Sequence, residues 1–184
     1  MVLASASSKT ALGLAHLSKT RGSCRVVGLT SPARVPFVRS TGYYDDVLSY
    51  DEVASLPAAD TVYVDFAGDA GVRAAVYVQL GERLRYSSRV GMTHWERLAA
   101  PAHAPRGGPE PVFFFAPEQA RKRSAEWGPA ELEARIAGAL GGFLASASAW
   151  LRVVEARGPT AVEATYRALL EGTADPAEGH VLGL

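Results

Sequence analysis

The sequence predicts an α/β protein built on a doubly wound parallel sheet of about six strands. Three observations lead to this fold class. Short apolar runs alternate with stretches of helical periodicity, a buried strand opens the chain, and small polar residues follow that strand. Strands that alternate with helices of this length form βαβ units, in which the strands are parallel and helices cover both faces of the sheet.

Each strand is predicted from an apolar run bounded by turn residues. The first of the six runs begins at Val2. The other five are Cys24–Leu29, Asp46–Tyr50, Thr61–Phe66, Arg83–Val90 and Val112–Phe115. Helical periodicity and capping residues predict the helices between them. These helices are Lys9–Lys19, one from Thr30 to about Thr41, Ala70–Leu80 and a long helix that starts at Pro129.

The last part of the chain predicts a smaller appendage. Trp150–Val154 and the tail His180–Leu184 have strand-like sequences, and a helix that begins at Pro159 separates them. We therefore expect a Rossmann-type domain over residues 1–149 and a C-terminal helix–strand appendage over residues 150–184.

Composition excludes several classes of protein. The chain has 184 residues, zero formal net charge and one cysteine. Neutral charge argues against a general nucleic-acid binder or a polybasic membrane binder, although a local basic site remains compatible with it. A single cysteine excludes an intrachain disulfide framework, and no His, Cys, Asp or Glu spacing is typical of a zinc site. The sequence shows neither a signal peptide nor a membrane span, so we expect a cytoplasmic protein.

The segment Ser5–Thr10 links the first strand to the first helix and is the first candidate site. Its hydroxyls, its backbone N–H groups and Lys9 suit a phosphate at a helix N-terminus. Ser8-Lys9-Thr10 resembles the end of a P-loop, but Leu3 and Ser8 stand where that motif has glycines. A dinucleotide-binding turn also has glycines where this chain has Ser and Ala. An ordinary turn capped by Ser8 is the third interpretation.

The end of the second strand favours a dinucleotide. An acidic residue there binds the ribose 2′-hydroxyl of NAD, and none follows Leu29. Thr30, Ser31 and Arg34 stand there instead, and hydroxyls with a guanidinium suit a 2′-phosphate. We therefore expect NADP(H) to be preferred over NAD(H). Helix capping by Thr30 or Ser31 and a solvated Arg34 form the alternative interpretation.

Three stretches resemble the medium-chain dehydrogenases/reductases of the quinone oxidoreductase type. The first, "VVGLTSPARVPFVRSTGYYDDVLSYD", is similar to their second βαβ unit. Residues 62–91, "VYVDFAGDAGVRAAVYVQLGERLRYSSRVG", are similar to their Asp-x-x-Gly, helix and β-Gly segment. The ending "GPTAVEATYRALLEGTADPAEGHVLGL" is similar to their closing helix and strand. "SASSKTALGLA" and "GMTHWE" resemble a little-characterised branch, a domain of unknown function.

The resemblance implies a role for individual residues. It places Ser7, Ser8, Lys9 and Thr10 at the pyrophosphate turn, where Lys9 neutralises phosphate. It assigns Ser31 and Arg34 to the 2′-phosphate. The positions implied to lie near the adenosine or to line the cofactor are Tyr50, Ala67, Gly68, Gly91 and Phe115.

Members of this family carry an N-terminal catalytic domain that has no counterpart in the sequence. We therefore expect the NADP(H)-binding part of a reductase that acts on a small carbonyl, enone or quinone, with no proton donor assigned. The second hypothesis is a non-catalytic dinucleotide-sensing module that works with a partner chain. A degenerate P-loop nucleotide binder is the third.

The remaining reactive or aromatic residues have structural interpretations. His94-Trp95 is interpreted as a packed loop anchor, with a substrate contact as the alternative, and Cys24 as inert core. The run Arg121–Arg123 is interpreted as a solvated helix face, with a basic patch that steers a substrate as the alternative. Phe113–Phe115 is interpreted mainly as core. As part of the sixth strand it is also the candidate edge for a homodimer, because family members often pair through an edge strand.

Overall fold

A computed structural model describes residues 1–90 and 108–184 of the chain, and it confirms the predicted fold class. Six strands form one parallel sheet in the order β3-β2-β1-β4-β5-β6. The strands are β1 Val2–Ala4, β2 Val27–Thr30, β3 Asp46–Ser49, β4 Thr61–Asp65, β5 Leu84–Arg89 and β6 Val112–Phe113. This is the strand order of a Rossmann fold, in which the direction of winding changes between β1 and β4.

Three helices connect strands of this sheet, and two more follow β6. They are α1 Lys9–Arg21, α2 Val35–Ser40, α3 Ala70–Leu80, α4 Ala116–Trp127 and α5 Pro129–Ala147. Short 3₁₀ turns precede α2 at Pro32–Arg34, follow β3 at Tyr50–Ser55 and follow α3 at Gly81–Arg83. The α3 bounds and the start of α5 are as the sequence predicts.

The main core lies between the central strands and the elements that pack on them. Strand residues such as Leu29 and Tyr63 are fully buried and pack with Val76 and Tyr77 from α3. Because the central strands are covered, their sequences are nearly continuous apolar runs rather than alternating ones. This burial fixes where each strand ends, and therefore where the turns at the carboxyl edge begin.

The structure corrects the prediction for Cys24. The predicted second strand began at Cys24, whereas β2 begins at Val27 and Cys24 is exposed. The cause is the end of α1, where Gly22 adopts a φ of 63° and donates its N–H to the carbonyls of Ser18 and Lys19. The chain needs the next residues to return from this cap to the sheet, so Cys24 is a loop residue and not core.

The prediction that Phe113–Phe115 is mainly core is also wrong. Phe113, Phe114 and Phe115 are 53%, 41% and 48% exposed. Strand β6 is the last strand of the sheet and pairs with β5 only at Ser88↔Val112 and Arg89↔Phe113. Of the three, only Phe113 belongs to this strand, and Phe115 is already the N-cap of α4, so the sheet does not bury all three.

The described residues divide into two compact units, Met1–Leu140 and Gly141–Leu184. The second unit contains two parallel strands, β7 Arg152–Arg157 and β8 Glu178–Gly183, joined through α6 Pro159–Leu170. Arg152 joins the start of both strands by ion pairs to Asp175 at 2.9 Å and Glu178 at 3.1 Å. In this unit Ala147 alone is buried, and the exposed apolar side chains include Val153, Tyr166, Leu169, Leu170 and Val181.

Candidate dinucleotide site

The turn after β1 is held by hydrogen bonds from two distant tyrosines. The Tyr44 hydroxyl donates to the carbonyl of Ala6 at 2.9 Å, and the Tyr50 hydroxyl accepts the N–H of Ser5 at 3.2 Å. Burial raises the pKa of Tyr44, so its hydroxyl stays protonated and remains a donor at neutral pH. A further bond joins the N–H of Ala6 to the carbonyl of Leu29 at 2.9 Å. These contacts fix the start of the turn, at Ser5 and Ala6, relative to β2 and to the residues on either side of β3.

The turn needs unusual backbone geometry. Ser5 has a φ of 54°, a left-handed conformation that non-glycine residues adopt rarely. Space for the turn comes from the neighbouring strand, because a Cβ at Gly28 would lie 2.9 Å from the Cβ of Ala6 and 2.9 Å from the ring of Tyr44. The close approach that a dinucleotide-binding turn obtains from its own glycines is supplied here by Gly28 of β2.

The start of α1 presents hydrogen-bond donors at the carboxyl edge of the sheet. Ser8 is the N-cap, as in the third interpretation of this segment, and its side chain accepts the N–H of Ala11 at 3.3 Å. Among the residues that the structure describes, the backbone N–H groups of Ser7 and Thr10 have no acceptor. Lys9 is an exposed first-turn residue beside them, and no acidic residue occupies this turn. This arrangement fits an anionic group.

The end of β2 lies next to this turn. The Thr30 hydroxyl, which is buried, donates to the hydroxyl of Ser7 at 3.5 Å. Ser31 takes the N-cap position of the following 3₁₀ turn without a side-chain cap bond, and Pro32 stands in its first turn. Arg34 ends that turn and is half-buried. The predicted site residues that follow β1 and those that follow β2 therefore lie near each other, at the carboxyl ends of these two strands.

The end of β4 forms the neighbouring part of the edge. Asp65 is buried, and its Oδ1 accepts the N–H of Ala67 at 3.1 Å and of Gly68 at 2.8 Å. Its Oδ2 pairs with Arg73 of α3 at 3.4 Å. Gly68 has a φ of 75°, which the reversal from β4 toward α3 requires. Ala67 and Gly68 thus lie on a turn that Asp65 holds in place.

Two predicted residues are not placed in this group. Gly91 lies outside the described residues, as do His94 and Trp95. Phe115 is the N-cap residue of α4 and follows the edge strand β6. Its ring stacks with that of Phe113, with the two centroids 6.4 Å apart.

The residues that support the site were not predicted from the sequence. Tyr44, Gly28, Asp65 and Arg73 were given no site role. Tyr50 was assigned to the adenosine, and its bond to Ser5 was not predicted. Their partners are 8 to 45 residues away in the chain, so local patterns carry no signal for most of them. The one available signal was Asp65, which starts an Asp-x-x-Gly sequence at a strand end.

The described residues include no group of three or more His, Cys, Asp or Glu side chains that could hold a metal ion. None of the described helices is both long and apolar enough to cross a membrane. A cavity of about 530 Å³ is lined by Asp60, Leu80, Glu82, Arg83 and Arg85. It lies where β4 and β5 begin. The turns described above lie at the other end of the strands, their carboxyl ends.

Comparison with protein families assigns the chain. Residues 1–175 match the family described as "Protein of unknown function (DUF2855)", and the chain belongs to that family. No curated protein matches the sequence.

Solved structures with the same fold give a second comparison. The YhdH oxidoreductase from Salmonella enterica, solved in complex with NADP, has a TM-score of 0.62 and 18% identity; the similarity covers 100% of this chain and 53% of that one. A candidate NADPH:quinone reductase from Mesorhizobium loti has a TM-score of 0.58 and 14% identity, covering 94% of this chain and 50% of that one. The chain therefore spans about half the length of these structural neighbours.

Proposed function

We propose that this chain is the NADP(H)-binding part of a reductase similar to the quinone oxidoreductases, acting on a small carbonyl, enone or quinone. One observation carries the proposal. The open N–H groups of Ser7 and Thr10 and the Lys9 ammonium lie at the N-terminus of α1, on the β1–α1 crossover that binds pyrophosphate in Rossmann folds. The neighbour solved with NADP has the same fold, which supports the choice of dinucleotide.

Residues that follow β1 and residues that follow β2 would hold different parts of the cofactor. Ser7, Ser8, Lys9 and Thr10 would hold the pyrophosphate, and Ser31 with Arg34 would hold the 2′-phosphate. Thr30 supports this arrangement indirectly, because its hydroxyl is bonded to Ser7. When bound, the nicotinamide ring supplies the hydride chemistry, and the chain supplies binding and orientation.

A titration of the purified chain with NADPH, followed by nicotinamide fluorescence, tests the proposal. We expect saturable binding, and we expect Lys9→Met to weaken it by about three- to tenfold through the loss of one exposed cation near the pyrophosphate. Lys19→Met, at the far end of α1, is the matched control and should bind like the wild type. Absence of binding at millimolar NADPH and NADP⁺ would reject the function, and binding of ATP with Mg²⁺ instead would favour the P-loop hypothesis.

The second candidate is a non-catalytic dinucleotide-sensing module that works with a partner chain. The observation that favours it is a set of exposed apolar side chains in the second unit, including Tyr166, Leu169 and Leu170, because exposed apolar surface is typical of a site that contacts another chain. A chain that binds NADPH but reduces no quinone, enone or aldehyde would support this candidate. Turnover of any of these substrates by the chain alone would reject it.

We also propose a homodimer formed through β6. Val112 is 47% exposed, Phe113 and Phe115 stack with ring centroids 6.4 Å apart, and β6 is the last strand of its sheet. An exposed apolar edge strand pairs readily with a second edge. Light scattering after size exclusion should give a dimer for the wild type and a monomer for Phe113→Lys. Val78→Lys, a substitution of an exposed residue of α3, should remain a dimer. A monomeric wild type at micromolar concentration would contradict the proposal.

A further inference from the structure

Both oxygens of the Asp65 carboxylate bind groups of the protein itself. Oδ1 accepts two backbone N–H groups of the turn that follows β4, and Oδ2 pairs with the Arg73 guanidinium at 3.4 Å. The Asp65 side chain is 1% exposed and that of Arg73 is 13% exposed. A buried carboxylate is costly unless it is paired and hydrogen-bonded, and here both conditions are met.

Asp65 also joins three segments of the chain at the carboxyl edge. Its side chain holds the turn at Ala67–Gly68. Through Arg73 it also holds the first turn of α3. Its backbone carbonyl accepts the N–H of Val90 at 2.8 Å, where β5 ends. Removing this side chain therefore frees the Ala67–Gly68 turn while the strands themselves keep their ladder bonds.

The same contacts decide what the turn offers to a ligand. The N–H groups of Ala67 and Gly68 both point to Asp65, so neither is available to an incoming group. The turn after β1 differs, because the N–H groups of Ser7 and Thr10 have no acceptor among the described residues. Since a phosphate needs donors, a dinucleotide placed along this edge has its charged part at the β1 turn and an uncharged part at the β4 turn.

We propose that Asp65 and Arg73 are positioning residues that hold the Ala67–Gly68 turn as a surface for an uncharged, ribose-bearing part of the dinucleotide. The proposal rests on the proposed function. Neither residue contacts the cofactor. Asp65 acts through the turn, and Arg73 acts by neutralising and orienting Asp65.

Three variants separate the contributions of the two contacts. Asp65→Ala removes both the turn bonds and the ion pair, whereas Asp65→Asn and Arg73→Met keep the Oδ1 acceptor and remove only the ion pair. We expect Asp65→Ala to weaken NADPH binding about tenfold, as the loss of one charge-assisted hydrogen bond would. The other two should weaken it by about threefold, and Arg73→Lys should restore most of the affinity lost in Arg73→Met.

Hydrogen exchange at the Gly68 amide is the second measurement, and it does not depend on the cofactor. Exchange should be faster in Asp65→Ala than in the wild type. Asp60→Asn is the matched control, because Asp60 pairs with Arg85 at 3.1 Å, is exposed, and directly precedes the opposite end of the same strand. That variant should leave both the Gly68 exchange rate and NADPH binding unchanged.

Each outcome decides one claim. Unchanged Gly68 exchange in Asp65→Ala would overturn the assigned contacts. Faster exchange with wild-type NADPH affinity in folded Asp65 and Arg73 variants would overturn the positioning role and leave the proposed function standing. A wild-type chain that does not bind NADPH would overturn the proposed function, and the positioning role with it. If Asp65→Ala does not fold, Asp65→Asn and the two Arg73 variants carry the binding test.

Discussion

Gly28→Ala is expected to lower the free energy of unfolding by about 2–3 kcal/mol, the cost of overpacking a rigid core position. The added methyl would lie 2.9 Å from the Cβ of Ala6 and 2.9 Å from the Tyr44 ring. Neither neighbour can move away cheaply. Ala6 is fixed by its bond to Leu29, and Tyr44 is fixed by its hydroxyl on the Ala6 carbonyl. Urea unfolding followed by circular dichroism measures the loss.

The chain offers a matched control for this substitution. Gly138 lies inside α5, is exposed, and would have no atom within 4 Å of an added Cβ. Gly138→Ala should therefore raise stability by up to about 1 kcal/mol through helix propensity. The double variant Ala6→Gly with Gly28→Ala should recover part of the loss, because one of the two contacts is removed. Equal stability of Gly28→Ala and the wild type would show that the turn does not depend on this close approach.

The alternation of strands and helices was sufficient to predict the sheet. Each central strand is buried by helices, so its apolar run is visible in the sequence without knowledge of its neighbours. The two wrong predictions concern residues whose burial depends on the elements beside them. Phe113 sits in an apolar run like the others, yet β6 is the last strand of the sheet and Phe113 remains exposed. Cys24 is exposed because it lies in the loop between the helix cap at Gly22 and the start of β2.

The local structure of the turn after β1 could be predicted from the sequence, but the contacts that support this turn could not. Ser8 as N-cap and the hydroxyl-rich turn follow from local residue types, which carry local physical preferences. The contacts of Tyr44 with Ala6 and of Tyr50 with Ser5 join residues 38 and 45 positions apart. No local pattern encodes such pairs. The sequence therefore predicted where donors would collect, but not how a turn without glycines keeps its shape.

Arg34→Ala is expected to weaken NADPH binding by about ten- to a hundredfold and NADH binding little. Arg34 is half-buried at the end of the 3₁₀ turn that follows β2, the place where a Rossmann fold holds the substituent at the ribose 2′ position. A guanidinium that binds a phosphate by charge-assisted hydrogen bonds contributes about 1.5–3 kcal/mol, and NADH has no phosphate there. The ratio of the two dissociation constants is the quantity to measure.

Arg25→Ala provides the comparison, because Arg25 is an exposed arginine just before β2, at the opposite end of that strand. It should leave the NADPH to NADH ratio at the wild-type value. Lys9→Met should weaken both cofactors alike, since both carry a pyrophosphate. Equal losses of NADPH and NADH affinity in Arg34→Ala would remove the 2′-phosphate assignment while leaving dinucleotide binding intact. Raised salt should weaken NADPH more than NADH, because the additional phosphate contact is between charges and is screened by ions.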